Sequence, residues 1–234
     1  MNKKIGAVGI ERLPTAPFII ILTQKGGNGT FDCLNGELIM LDGDVYRASG
    51  DGCVEFVDEY ETSPFAVVTY MDADATKHLE NIPDCNALYN ELDQIVAENG
   101  KNRFYMIRID GLFREVNVRS VPAQKEPYKP LVKVLEQQQT FFDYDNIEGT
   151  MVGLYCPPYM SNLNAVGWHI HFISKDKTKG GHMLGASIAD AILTWNNCDS
   201  FQLRLPQNEQ FDSFDLTVDQ SKDIEKIEKG NESQ

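Results

Sequence analysis

The sequence is poor in basic residues relative to acidic ones. Its 21 lysines and arginines stand against 35 aspartates and glutamates, which gives a net charge of −14. Binding to nucleic acid requires clustered Lys and Arg that neutralise phosphates, and an anionic membrane surface attracts the same groups. No apolar run approaches the roughly 20 residues that a transmembrane helix needs. We therefore expect neither nucleic acid nor a membrane as a partner.

Paired cysteines are missing as well. The five cysteines are an odd number, and no two of them form a Cys-x-x-Cys pair. This pattern is typical of reduced thiols and argues against a disulfide framework. No apolar signal-peptide core develops before Pro14, so we expect a soluble cytoplasmic protein.

A phosphate-binding loop is not indicated either. The glycine-rich segment 26–29 is followed by no Lys-Ser/Thr pair and by no helical periodicity. Instead, the Asn-Gly pair at 35–36 and the Asp-Gly pair at 42–43 are turn signals between short strand-like stretches. This region is predicted to be a strand meander, preceded by a buried strand at residues 18–22.

The remaining elements are predicted from hydrophobic spacing. A helix is expected over 84–99, with Asp84 as its N-cap and Gly100 after its end. Two alternating stretches, 103–110 and 112–121, are expected to form a hairpin. A proline-rich break at 122–130 then precedes a short helix, strands at about 140–145, 149–156 and 200–205, and a tail helix at 219–229. Strands predominate and do not alternate one for one with helices, which predicts an α+β fold.

Histidine is scarce, and its distribution is uneven. Three of the four histidines lie between residues 169 and 182. Side chains alternate between the two faces of a strand, so His169 and His171 are predicted to share a face. Trp168, Ile170 and Phe172 are then expected on the opposite, apolar face.

The third histidine is expected to join the first two through a hairpin. Residues 175–181 are charged and end in Gly-Gly, which indicates a turn that places His182 beside His171. Three converging imidazoles are typical of a metal site, with zinc as the first candidate and one coordination position open. An iron site like that of cupin-type dioxygenases, with Asp176 as a carboxylate ligand, is an alternative. A non-catalytic metal-binding or carbohydrate-binding β module is another.

For two further residues, Glu37 and Arg119, the local sequence pattern by itself is only a weak indication of function. Glu37 follows a turn glycine, and its ordinary interpretation is a solvent-facing strand residue. Arg119 is predicted on the face opposite to Val116 and Val118, where a surface charge paired with a carboxylate is the ordinary interpretation. Either side chain could instead serve a metal site, the first as a proton shuttle and the second as an anion clamp.

Several separate stretches, taken together, resemble the α-acetolactate decarboxylase family. The resemblance covers nearly the whole chain from about residue 15, and the histidine stretch is its most specific part. The matching stretches are Gly29–Phe31, Gly36–Glu37, Leu41–Gly43, Tyr46, Ile107–Phe113, Val118–Gln124, Pro127–Tyr128, Gly167–Ser174 and Gly181–His182.

The resemblance implies a zinc enzyme that converts (S)-2-acetolactate to (R)-acetoin and carbon dioxide. It implies His169, His171 and His182 as zinc ligands, Glu37 and Arg119 as catalytic residues, and Thr30 and Arg119 as residues that bind the substrate. A tail glutamate of the family matches Glu228 best, with Glu225 one helical turn away.

The architecture that the resemblance implies is a two-domain, strand-rich protein of α/β type. We expect mixed or antiparallel sheets and a zinc-binding β-hairpin, in a homodimer. The N-terminal α/β domain with a mixed sheet would span residues 1–122, and the β-rich domain that carries the hairpin would span residues 123–234. The break at 122–130 places this boundary no more sharply than about residues 120–130.

Overall fold

The structure, a computed structural model, describes residues 4–8, 16–17, 26–57, 61–125, 127–129, 131–161, 163–203, 205 and 212–213. The predicted strand at 18–22, the tail helix at 219–229, Glu225 and Glu228 lie outside these residues. The described elements are β1 (Lys4–Val8), β2 (Ala16–Pro17), β3 (Gly26–Thr30), β4 (Glu37–Leu41), β5 (Asp44–Ala48), β6 (Val54–Phe56), β7 (Thr62–Ser63), β8 (Phe65–Thr69), β9 (Ala75–Ile82), α1 (Cys85–Asn99), β10 (Phe104–Ser120), α2 (Leu131–Gln138), β11 (Thr140–Cys156), β12 (Gly167–Ser174), β13 (Gly180–Cys198) and β14 (Ser200–Leu203).

Two sheets contain most of these strands, so the predicted strand-rich α+β fold is confirmed. The seven-stranded sheet has the order β14-β1-β8-β3-β4-β5-β6, and all its neighbours are antiparallel except β1 and β14. The five-stranded sheet is antiparallel, with the order β10-β11-β12-β13-β9. Strand β10 also pairs with β13, so this sheet closes on itself through β10, β11, β12 and β13.

An apolar core lies between the two sheets. Ile39 and Val67 of the seven-stranded sheet belong to the same buried cluster as Val152, Leu154 and Ile173 of the five-stranded sheet. A second buried cluster joins the other face of the five-stranded sheet to helix α1. Ile173 follows His169 and His171 at two-residue steps, so the two histidines face the core between the sheets.

The strands of each sheet come from both sides of residue 122. Strands β9 and β10 precede that residue and belong to the five-stranded sheet, whereas β14 follows it and belongs to the seven-stranded sheet. The division into residues 1–122 and 123–234 stays a prediction.

The predicted strand meander and the predicted helix at 84–99 are confirmed. Strands β3 to β6 form an antiparallel meander, and Asp42 and Gly43 turn between β4 and β5 with φ values of 56° and 95°. Helix α1 begins after Asp84, whose side chain accepts a hydrogen bond from Ala87 N–H, and it ends at Gly100. Neither described α-helix is long and apolar enough to cross a bilayer.

Two of the predicted strand breaks are wrong. The expected hairpin around Gly111 is one continuous strand, β10, and the strands expected at 140–145 and 149–156 are also one strand, β11. Gly111 serves close packing, because a Cβ atom there would lie 2.3 Å from the carbonyl oxygen of Asp190 on β13. A glycine that permits such an approach is easily mistaken for a turn residue.

We expect the Gly111→Ala variant to lose about 1–3 kcal/mol of unfolding free energy, because its methyl group would overlap the backbone of β13. Urea unfolding measures this loss. Gly185→Ala is the matched control, since its Cβ would meet only the end of the Asn117 side chain, which can rotate away. Equal losses in the two variants would contradict the close-approach explanation.

Candidate metal and catalytic site

The strand register brings the three clustered histidines together, as predicted. His171 on β12 is the cross-strand partner of His182 on β13, and His169 lies two residues before His171 on the same face. His169 Nε2 lies 2.9 Å from His171 Nε2. One nitrogen from each of the three rings falls within 4.8 Å of the others, so the group could hold a metal ion.

The three rings are withdrawn from solvent. His169, His171 and His182 are 9%, 0% and 2% exposed, whereas Ile170 and Phe172 point away from them into the core beside α1. The prediction of an apolar face opposite the histidines is therefore confirmed. Burial matters for a metal site because it limits competition from water for the open coordination position.

A hydrogen bond fixes which nitrogen of His171 faces the group. Its Nδ1–H donates to the carbonyl oxygen of Leu38 on β4 at 2.8 Å, which leaves the Nε2 lone pair directed toward the other rings. Burial, the neighbouring His169 and the positive charge of Arg119 hold the pKa of His171 well below its usual value. The ring is consequently neutral, which is the form that binds metal ions.

Arg119 joins this site through the same register. It lies on β10 as the cross-strand partner of His182, and it is only 4% exposed. Val116 and Val118 face the other way, into the core beside α1, as predicted. The ordinary interpretation of Arg119 as a surface charge is therefore wrong.

Glu37 approaches the site from the other sheet. It begins β4 and is 7% exposed, so the ordinary interpretation of a solvent-facing residue is also wrong. Its Oε2 lies 3.6 Å from His171 Nε2, and its Oε1 lies 4.0 Å from Arg119 Nη1. The site thus combines three imidazoles, a guanidinium and a carboxylate at the junction of the two sheets.

Thr30 lies beside Glu37, but its hydroxyl group is hydrogen-bonded within the connection between β3 and β4. It is the cross-strand partner of Glu37, and its Oγ1–H donates to the carbonyl oxygen of Gly36 at 2.7 Å. Ser63 Oγ–H donates to the carbonyl oxygen of Thr30 at 2.6 Å. The hydroxyl of Thr30 therefore closes the connection between β3 and β4, while its oxygen still has acceptor capacity.

Asp176, the carboxylate of the iron-site alternative, is not part of the histidine group. It lies in the exposed turn between β12 and β13, where it accepts hydrogen bonds from Ser174 Oγ at 2.6 Å and from Thr178 Oγ1 at 2.8 Å. Within the described residues, the group that could hold a metal consists of the three histidines alone.

Sequence reasoning missed three residues that support the site. Asn28 is fully buried on β3, and its Nδ2–H donates to the carbonyl oxygen of His169 at 2.7 Å. Ser120 follows Arg119, and its Oγ–H donates to the carbonyl oxygen of Ala48 at 2.6 Å. The Phe65 ring stacks on His169 with 13° between the ring planes. Of these three residues, only Asn28 stands out in the sequence, because it is a polar residue within an otherwise glycine-rich strand.

Comparison with known proteins identifies relatives over most of the chain. The model of the alpha-acetolactate decarboxylase family matches residues 21–218. The alpha-acetolactate decarboxylase of Methanosarcina mazei is 36% identical over 203 residues, which are 87% of this chain and 69% of that protein. The enzyme of the same name from Bacillus subtilis is 36% identical over 203 residues, covering 86% of this chain and 78% of that protein.

A solved structure agrees with the fold. The crystal structure of alpha-acetolactate decarboxylase from Bacillus subtilis strain 168 superposes with a TM-score of 0.90. The superposition covers 98% of this chain and 100% of the other, at 29% sequence identity. The likeness extends to the whole fold and is not confined to the histidine hairpin.

Proposed function

Because the chain belongs to the alpha-acetolactate decarboxylase family, a family of carboxy-lyases, we propose that it converts (S)-2-acetolactate to (R)-acetoin and carbon dioxide at the three-histidine site. The observation that carries this proposal is the convergence of Glu37 and Arg119 on the histidines from two different sheets. The substrate is a small anion, and the site offers it one buried cation in an otherwise acidic protein.

We assign the metal to His169, His171 and His182, with zinc as the expected ion. The donor set fits, since three buried imidazoles with clustered nitrogens are a usual set for catalytic zinc. The Leu38 carbonyl that orients His171 is the kind of hydrogen-bond partner that metal-binding histidines have. When bound, the ion supplies Lewis acidity for the carbonyl and hydroxyl oxygens of the substrate.

Arg119 binds the negative charge of the substrate. Acetolactate is a β-keto acid, so loss of carbon dioxide moves the charge of its carboxylate onto the oxygens of an enediolate. A guanidinium that is 4% exposed acts on such charge more strongly than a solvated one, because little water screens it. Its fixed planar fork also orients the carboxylate before the carbon–carbon bond breaks.

Glu37, in its protonated form, delivers the proton that completes the product, and it regains a proton from water after each turnover. The enediolate must be protonated on one face of one carbon to give a single enantiomer of acetoin. Glu37 lies within 4 Å of both Arg119 and His171 and is held on a different sheet from them, so its carboxyl group can approach from one side only. Glu228, or Glu225, is proposed as a second carboxyl group from the tail.

The direct test is acetoin production from racemic acetolactate without oxygen, followed by colour formation with creatine and naphthol. We expect the purified protein to form acetoin from one enantiomer, and we expect a chelator to abolish activity that zinc then restores. The control is a parallel assay in air-saturated buffer with an oxygen electrode. Oxygen consumption without acetoin would refute decarboxylation and would favour a dioxygenase.

The predicted assembly is also open to measurement. We propose a cytoplasmic homodimer, on the basis of the family resemblance. Light scattering of the purified protein should give twice the chain mass of 26.3 kDa, and a mass of one chain would refute the dimer.

A further inference from the structure

A second buried arginine lies behind the site without facing it. Arg47 on β5 is the cross-strand partner of Leu38, the residue after Glu37, so its side chain lies on the opposite face of the sheet from Glu37. Arg47 is 8% exposed. It is close to residues 31–36, which connect Thr30 to Glu37 and are called the β3–β4 turn below.

The β3–β4 turn holds an unfavourable backbone conformation. Cys33 and Leu34 have φ values of 59° and 56°, although neither is a glycine. Such a conformation is unfavourable for a residue with a Cβ atom and persists only where surrounding contacts hold it. These residues lie in the turn that joins Thr30 to Glu37, two of the proposed site residues.

Backbone hydrogen bonds hold one side of this turn. The N–H of Gln124 donates to the carbonyl oxygen of Cys33 at 2.7 Å. The N–H of Gly36 is shared between the carbonyl oxygen of Leu34, within the turn, at 2.9 Å and that of Val121 at 3.0 Å. Gln124 and Val121 both lie just after β10, the strand that carries Arg119. Their bonds connect the turn to the sheet that holds the rest of the site.

Arg47 contacts one end of the turn and lies close to the other. Its Cζ lies 4.4 Å from the centroid of the buried Phe31 ring, a cation–π contact with the residue after Thr30. Its Cγ would lie 3.0 Å from a Cβ atom on Gly36, the residue before Glu37. Arg47 therefore contacts Phe31, the residue after Thr30, and lies beside Gly36, the residue before Glu37.

Two carboxylates hold the guanidinium in place. Arg47 Nη1 lies 2.8 Å from Glu55 Oε1, and Nη2 lies 2.7 Å from Glu61 Oε2. A planar guanidinium can bind two carboxylates at its edge and stack on a ring with its face. A lysine ammonium group has no such flat face and edge, so it can bind the carboxylates or lie over the ring, but not both at once.

We propose that Arg47 is a positioning residue for the decarboxylation. It holds the β3–β4 turn from the face away from the site, and it thereby sets where the Glu37 carboxyl group lies relative to Arg119 and His171. The proposal rests on the proposed function, in which Glu37 delivers the proton. A displacement of about 1 Å at a reacting group can cost about 100-fold in rate.

The test compares Arg47→Met, Arg47→Lys and Arg108→Met. Arg108 is the matched control, because it also binds two carboxylates, Asp42 and Asp110, but makes no contact with the turn. We expect Arg47→Met to lower kcat by about 10- to 100-fold, with KM and zinc content close to those of the wild type. Arg47→Lys should recover part of this loss, and Arg108→Met should keep wild-type kcat.

Hydrogen exchange at the Gly36 amide provides a readout that does not depend on turnover. We expect this amide to be protected in the wild type and in Arg108→Met, and to exchange faster in Arg47→Met. Retained protection in Arg47→Met would refute the positioning role, and so would wild-type kcat despite faster exchange. Absence of acetoin from the wild type would refute the proposed function instead, so the two failures are distinguishable.

A Phe31→Leu variant covers the case in which Arg47→Met does not fold. It keeps an apolar side chain in the buried position and removes only the ring on which Arg47 stacks. The same fall in kcat and the same faster exchange at Gly36 are expected, to a smaller extent. Unchanged kcat in both Phe31→Leu and Arg47→Lys would overturn the proposal.

Discussion

His171→Ala is expected to abolish both metal binding and acetoin production. His171 is the most deeply buried of the three histidines, and it is the one whose Nδ1–H bond to Leu38 fixes its ring. A bound metal ion that acts as a Lewis acid is worth several kcal/mol, so activity should fall by about 10³-fold or more. Elemental analysis of the purified variant and the anaerobic acetoin assay measure the two losses.

His78→Ala is the matched control for this experiment. His78 is the fourth histidine, and it lies at the exposed surface of β9, where it pairs with Asp190 at 2.8 Å. We expect this variant to keep its metal and its activity. Stoichiometric metal in His171→Ala would show that the assignment of ligands is wrong.

Glu37→Gln is expected to keep the metal but to lose most of the turnover. The amide has nearly the shape of the carboxyl group, so the contacts at the junction of the sheets are largely preserved, but it cannot deliver a proton. Removal of a general acid typically costs about 10²–10⁴-fold in rate. Steady-state kinetics should show the loss in kcat, and chiral chromatography of residual acetoin should show reduced enantiomeric purity.

Glu148→Gln controls for the loss of one negative charge. Glu148 is an exposed residue of β11 that pairs with Lys175 in the hairpin turn. Wild-type turnover is expected for it. If Glu37→Gln kept wild-type kcat and stereochemistry, Glu37 would not be the proton donor, and a carboxyl group from the tail would be the next candidate.

The parts of the site that the sequence predicted well are those made by residues close together in the chain. Strand alternation placed His169 and His171 on one face, and the turn before Gly181 placed His182 beside them. Alternation also placed Arg119 on the correct side of β10, opposite Val116 and Val118. For His169, His171 and Arg119 a rule with a period of two residues was sufficient, whereas His182 also required the predicted turn.

The predictions that failed needed information about distant strands. The sequence predicts a turn at Gly111 because nothing nearby in the sequence shows that Asp190 and Ala191 approach its backbone. The burial of Glu37 and Arg119 was missed because a charged strand residue is ordinarily exposed. Only the resemblance to a family singled out these two residues, and it did so without showing their surroundings.

By itself, therefore, the sequence determined a three-histidine hairpin, a strand-rich α+β fold and the residues that the family resemblance marks. Tertiary structure alone decided that Glu37 faces the histidines and that Arg119 is buried beside them. The physical reason is the length of chain between the partners: Leu38, which orients His171, precedes it by 133 residues. No local pattern encodes such a contact, because it exists only after the two sheets have packed against each other.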